Sequence, residues 1–221
     1  MRPRPIAPPL RRRVVVSAIA AAVLLIAGCA ASTSTDTPTP TSVPTSAEVT
    51  VPAGPVELTE PSTALGFGDT AVLPANAFAA TGPRAMFTVT GITPAEGVPD
   101  DISNGGTAYF LYVTVTSLAG QPIAAPSVIG LSGSPDGRTP TFTRAPTPNL
   151  TGCPATAPPE QMRRGESYTA CLISVSDAGQ RLERVIYWAD TSSDTSLDYK
   201  SAPVVWAPPG LSAALSSAAA G

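Results

Sequence analysis

TAYFLYVTVTS, residues 107–117, is dense in aromatic and β-branched side chains and holds no glycine, proline or charge. Side chains of these types are stiff at χ1 and pack well on a pleated surface, so the run predicts a strand. Successive side chains of a strand point to opposite faces. Tyr109, Leu111, Val113 and Val115 therefore share one face, and Phe110, Tyr112, Thr114 and Thr116 share the other.

The same period of two recurs on either side. Residues 166–175 set Cys171, Ile173 and Val175 opposite Tyr168, Ala170 and Leu172. Further strands are predicted at 69–73, 84–92, 127–132, 139–144, 184–189 and 202–207, with Gly, Pro, Asn and Asp punctuating the intervals. Beyond the leader, no segment sustains the i, i+3, i+4, i+7 apolar pattern of a helix. An all-β antiparallel sandwich of about eight short strands is expected over residues 63–208. A domain of ~150 residues buries about two-thirds of its unfolded surface, enough for an independent core.

Ahead of that region the chain opens with Arg2, Arg4 and Arg11 to Arg13, then an apolar run from Val14 to Ala27, then Gly28 and Cys29. Basic, apolar and small segments in that order make a signal peptide over residues 1–28. The run of 14 apolar residues is shorter than the ~20 a membrane-spanning helix needs. Arg11 and Arg12 would suit twin-arginine export, but any export leader carries such charges.

The sequence Ile26-Ala27-Gly28-Cys29 resembles the lipobox of bacterial lipoproteins. That resemblance implies diacylglycerol on Cys29, cleavage in front of it, and a chain held on the extracytoplasmic face of the membrane. More than one acyl chain is needed for lasting attachment.

Residues 29–62, rich in Ser, Thr and Pro, are expected to form a disordered linker, and Thr33, Thr35, Thr37, Thr39 and Thr41 are candidate O-glycosylation acceptors. As a flexible coil of ~33 residues it would average about 30 Å end to end. The Ala- and Ser-rich tail, residues 209–221, is expected to fray.

Removing the five leader arginines from the 13 basic residues leaves eight against 16 acidic ones, a net of −8. Such a charge repels phosphate backbones and anionic headgroups, which argues against nucleic-acid partners and against membrane docking through basic residues. With lipid on Cys29, Cys153 and Cys171 remain and allow a single pairing. Export exposes them to an oxidising compartment, so a disulfide is expected.

The lipobox with its stalk, Phe87-Thr88-Val89, the strand from Tyr109 to Thr116, the Cys153 to Cys171 loop and the strand after Gly165 together resemble the immunoglobulin-like (telokin-like) domains of actinobacterial lipoproteins. That group includes a secreted mycobacterial immunogenic protein. The resemblance implies a seven- or eight-stranded immunoglobulin-like sandwich and carries over no catalytic residue. Antibody-type domains place a tryptophan between their cysteines, whereas Trp188 and Trp206 follow both.

The absence of histidine excludes Ser-His-Asp and Cys-His nucleophile systems and the usual zinc sites. Lys200, the only lysine, has Leu197 where an S-x-x-K motif needs serine, and Gly66-Phe67-Gly68 is too short for a dinucleotide fingerprint. Neither a cofactor nor a metal is expected. Asp100 and Asp101 read as a turn rather than a catalytic or calcium pair, and Asp190, Asp194 and Asp198 as a solvated loop.

Phe110, Tyr112, Tyr187 and Trp206 are the candidate binding surface, should the second face of the central strand lie uncovered. The expected function is a non-catalytic envelope lipoprotein binding a protein or glycan partner. Its alternatives are a binding protein for a small apolar ligand and a carboxylate-dependent hydrolase.

Overall fold

The computed structural model describes residues 43–79, 81–191 and 195–211. The expected leader, Cys29, the candidate glycosylation sites, Asp194 and most of the tail lie outside the described residues. In chain order the strands are β1 (Ala64–Gly66), β2 (Thr70–Pro74), β3 (Arg84–Pro94), β4 (Thr107–Ser117), β5 (Ile123–Ala124), β6 (Leu131–Ser134), β7 (Phe142–Arg144), β8 (Gln161–Met162), β9 (Ser167–Ser176), β10 (Arg184–Tyr187) and β11 (Val204–Ala207). A single helical turn, α1 (Asp100–Ser103), lies between β3 and β4. All eight runs expected from the sequence carry strands, and the remaining three, β1, β5 and β8, are only two or three residues long.

The protein is an all-β, immunoglobulin-like sandwich. One sheet has the order β2-β3-β4-β9-β7 with antiparallel pairing throughout, and the other has the order β1-β11-β10-β6. Within the second sheet β1 runs parallel to β11, and β5 and β8 form a separate small pair.

Alternation along β4 assigns the two faces as expected. Leu111, Val113 and Val115 face the other sheet with Phe87 and Val89 from β3, and all five are fully buried. Val185 and Tyr187 of β10 and Val204 and Trp206 of β11 meet them from the opposite sheet, also at zero exposure. Fully burying side chains of this size stabilises by roughly 1.5–3 kcal/mol each, an upper bound because denatured chains already hide some apolar surface. The Trp206 indole donates to the Asp69 carbonyl at 3.0 Å, which removes the cost of sealing a polar N–H in the core. Tyr187 packs edge-on to Tyr199 at 5.3 Å between ring centres.

The outer face of the larger sheet is covered. Phe110 and Tyr112 of β4 and Cys171 and Ile173 of β9 form a second buried cluster with Ile102 of α1, Leu150 and Cys153. Cys153 and Cys171 are disulfide-bonded, 5.4 Å apart at Cα, and the bond pins the 145–160 loop over this face. The loop lies so close that a Cβ on Gly152 would come within 2.7 Å of the Phe110 ring, and the Tyr112 hydroxyl donates to the Gly152 carbonyl at 2.8 Å.

Residues 43–62 correct the expectation of a linker disordered as far as position 62. They cross the outer face of the sheet as a strap. Val49, Val51, Val56 and Leu58 pack on Val72, Met86 and Leu118, and Val43 joins the cluster around Phe110. Polar contacts fix the path: Ala47 N–H donates to Thr114 Oγ1 at 2.9 Å, the Thr90 hydroxyl donates to the Pro44 carbonyl, and Arg164 donates to the Pro52 and Gly54 carbonyls at 2.7 Å each. Arg84 donates to the Val56 carbonyl, and Thr59 N–H donates to the Val72 carbonyl at 2.8 Å, closing the free edge of β2. Thr90 and Thr114 lie on the outer strand faces, so the strap anchors through side-chain hydroxyls as well as apolar contacts.

Candidate functional site

A cleft of about 820 Å³ lies at one end of the sandwich, where three segments distant in sequence meet. They are α1 with residues 104–106, the β6–β7 hairpin, and the end of β9 with the turn after it. Its volume falls in the range of small-ligand sites, and it opens to solvent.

Each segment is positioned by identifiable local chemistry. Residues 100–103 make one helical turn, which Asn104 ends in the left-handed region at φ 44°. The Asp100–Asp101 pair is therefore a single helical turn, close to the expected one. Gly106 packs against β9 so tightly that a Cβ would sit 2.2 Å from the Ser176 carbonyl oxygen, which leaves room only for glycine.

The hairpin is organised by Asp136. Its Oδ1 accepts from Ser134 Oγ at 3.0 Å, Arg138 N–H at 2.8 Å and Thr139 N–H at 2.7 Å, and its Oδ2 accepts from Thr139 Oγ1 at 2.8 Å. Partial burial pushes this carboxyl's pKa up, but the donated bonds from Thr139, Arg138 and Ser134 together outweigh it and hold the value down to about 2. Asp136 is thus a carboxylate throughout the physiological range, with its lone pairs committed to the turn. It has no proton to give a substrate.

Behind the hairpin, Ser132 Oγ, Thr143 Oγ1 and Ser174 Oγ form a chain of hydroxyls at 3.0 and 2.7 Å, and Gly133 N–H donates to Ser174 Oγ at 3.0 Å. This network ties β6 of one sheet to β7 and β9 of the other. Because Thr143 points into it, strand alternation turns Phe142 outward, and the ring is 61% exposed at the cleft. Asp101, Asn104, Asp177 and Gln180 line the rest of the rim. The arrangement offers one flat apolar ring, two carboxylates and two amides.

The four aromatic residues expected to share a binding surface are divided between the two faces of the larger sheet's core. Tyr187 and Trp206 are fully buried between the sheets, and Phe110 and Tyr112 lie on the other face beneath the 145–160 loop, 4% and 8% exposed. They therefore make no common exposed patch. Phe110 and Tyr112 do form part of the wall of a smaller cleft of about 570 Å³ with Glu96, Asn149 and Thr151. In the 190–200 segment, Lys200 pairs with Asp190 at 2.8 Å, which raises the lysine's pKa, while Asp198 accepts from Ser201 N–H at 3.0 Å.

Sequence reasoning did not single out Phe142. The signal available was a lone large apolar residue in TFTR, on a strand whose neighbouring positions are hydroxyl or charged.

No family model matches the chain, and no curated protein does. Two solved structures resemble it. One is the secreted protein MPT63 of Mycobacterium tuberculosis, 14% identical, with a TM-score of 0.42 over 65% of this chain and 95% of that one. The other is a candidate lipoprotein, YcdA, of Bacillus subtilis, 14% identical, with a TM-score of 0.39 over 62% of this chain and 39% of that one. The fold assignment rests on the strand pairings above and not on these likenesses.

Proposed function

We propose that the chain is a cell-envelope lipoprotein, held on the extracytoplasmic face of the membrane by lipid on Cys29, whose sandwich binds an envelope glycan in the end cleft without transforming it. The observation that carries the binding reading is Phe142, exposed beside the carboxylates and amides of an 820 Å³ cleft. Sugar rings present C–H faces that stack on an aromatic ring and hydroxyls that donate to carboxylates and amides. A neutral glycan also meets no penalty from a domain whose net charge is negative, unlike a polyanion.

The non-catalytic half of the reading is supported by the chain's chemistry. It has no histidine, and Asp136 stays ionised in the cleft. The alternative of an apolar ligand held between the sheets is weakened by Trp206, Tyr187, Tyr199, Phe87 and Leu111, whose fully buried side chains occupy that space.

Titration of the mature protein with solubilised envelope polysaccharide tests the cleft. Phe142→Ala is expected to weaken binding about tenfold, a loss of ~1.4 kcal/mol, with an unchanged melting temperature. Equal affinity in the variant and the parent would remove the cleft from the account. A protein partner on the same surface would appear as capture insensitive to glycan digestion.

A further inference from the structure

At the opposite end of the sandwich from the cleft, the 75–83 loop joins β2 to β3 and residues 118–130 leave β4. The register fixes these ends, since Ala85 pairs with Ser117 there and Pro94 with Tyr109 at the cleft end. Neither segment contains a single Asp, Glu, Lys or Arg. The two loops are tied together by Ser127 N–H, which donates to the Ala75 carbonyl at 3.0 Å.

Phe78 and Ile129 stand out from them at 65% and 58% exposure, two of the three exposed large hydrophobic side chains among the described residues. Between the loops lies a shallow cleft of about 280 Å³ lined by Ala75, Ala79, Pro83, Ile123 and Ala124. Large apolar side chains left exposed together on a soluble surface mark a contact site for protein or membrane.

We propose that this uncharged tip rests in the interfacial layer of the phospholipid bilayer, with Phe78 and Ile129 reaching the acyl boundary. Three observations favour a lipid surface over a protein partner. The two loops carry no ion of their own to desolvate, and Lys200 and Asp190, which follow β10 at this same end, pair with each other at 2.8 Å. Two guanidinium groups at this end, Arg84 and Arg164, are engaged by the carbonyls of Val56, Leu118, Pro52 and Gly54, and Arg84 also pairs with Glu57. The contact that the two loops themselves offer is therefore apolar.

The third observation is the tether. The 14 residues from Cys29 to Val43 reach at most about 50 Å fully extended, so the domain cannot leave the neighbourhood of the membrane. This nearness rests on the proposed lipid anchor. The tip adds a second attachment and turns the acidic, aromatic cleft away from the lipid.

The test uses the full acylated chain reconstituted in phosphatidylcholine vesicles, with an environment-sensitive fluorophore on Ile129→Cys or, separately, on Ala178→Cys at the cleft end. Phosphatidylcholine brominated on its acyl chains is the quencher. The expected result is a blue shift and strong quenching at position 129, neither at 178, and loss of both at 129 when Phe78→Glu is added, while the chain still floats with the vesicles. Equal quenching at the two positions, none at 129, or a blue shift at 129 that brominated lipid does not quench would overturn the proposal, the last by showing that protein covers the tip.

Failure of the anchor reading looks different, because the chain then does not float at all. In that event the mature chain is titrated directly with phosphatidylcholine vesicles. The tip still requires measurable binding that Phe78→Glu abolishes and that added anionic lipid does not strengthen. No binding there would overturn it.

Discussion

Asp136 is the residue on which the cleft hairpin depends, and its titration gives a signed expectation. A carboxyl whose folded pKa lies below its unfolded value, here about 2 against 3.8, stabilises fully above the unfolded value. That stability is lost as pH falls from about 4 through 2. After discounting for the exposure of the side chain, the loss is about 1 kcal/mol. Chemical denaturation between pH 5 and 2 should show this slope in the parent and a shallower one in Asp136→Asn.

Tyr187 gives a second residue-scale test. Its ring is fully buried, yet its hydroxyl has no hydrogen-bond partner among the described residues. An unsatisfied buried hydroxyl is costly, so Tyr187→Phe should leave the melting temperature unchanged or raise it, by up to ~1 kcal/mol of stability. A clear destabilisation would mean that the hydroxyl has a partner after all.

Among the elements, the strap and the disulfide loop cover the face that the sequence leaves open. A Cβ on Gly91 would lie 2.4 Å from Val43 Cγ1, so Gly91→Ala should lift the start of the strap. The expected readout is faster amide exchange over residues 43–47 with the core strands unaffected. Replacing Cys153 and Cys171 by serine opens a loop of 18 residues and should cost about 3 kcal/mol, read as a lower denaturation midpoint.

The strands were legible because β4 and β9 advertise their faces through strict alternation of large side chains. The strap was not, since Thr and Pro dominate the composition of residues 30–62 and dilute Val43, Val49, Val51, Val56 and Leu58. Those five are spaced to touch a sheet already formed, and the contacts that hold them come from Thr90, Thr114, Arg84 and Arg164, far away in the chain. The same non-locality hid the cleft. Its walls come from residues 101–106, 135–142 and 175–180, which only the β6–β7 hairpin and the β4–β9 pairing bring together. The aromatic surface expected from Phe110, Tyr112, Tyr187 and Trp206 failed for a related reason: residue type shows that a side chain is large and apolar, but not which loop will cover it.

For the whole molecule, the two ends of the sandwich differ in kind. One carries the open cleft with Asp101, Asp136, Asp177 and the exposed Phe142, and the other carries two uncharged loops with Phe78 and Ile129, flanked by the paired Lys200 and Asp190. A domain built in this way has a direction, and the proposed acylated tether would give that direction a reference plane. Among the described residues no helix is long and apolar enough to cross a membrane.

The most direct measurement is the intact mass and amino-terminal residue of the mature protein recovered from the envelope. The account predicts a chain beginning at Cys29 with the added mass of diacylglycerol, and release of the Cys29→Ser variant from the membrane fraction. A chain that begins elsewhere, or a serine variant held as firmly as the parent, would contradict it.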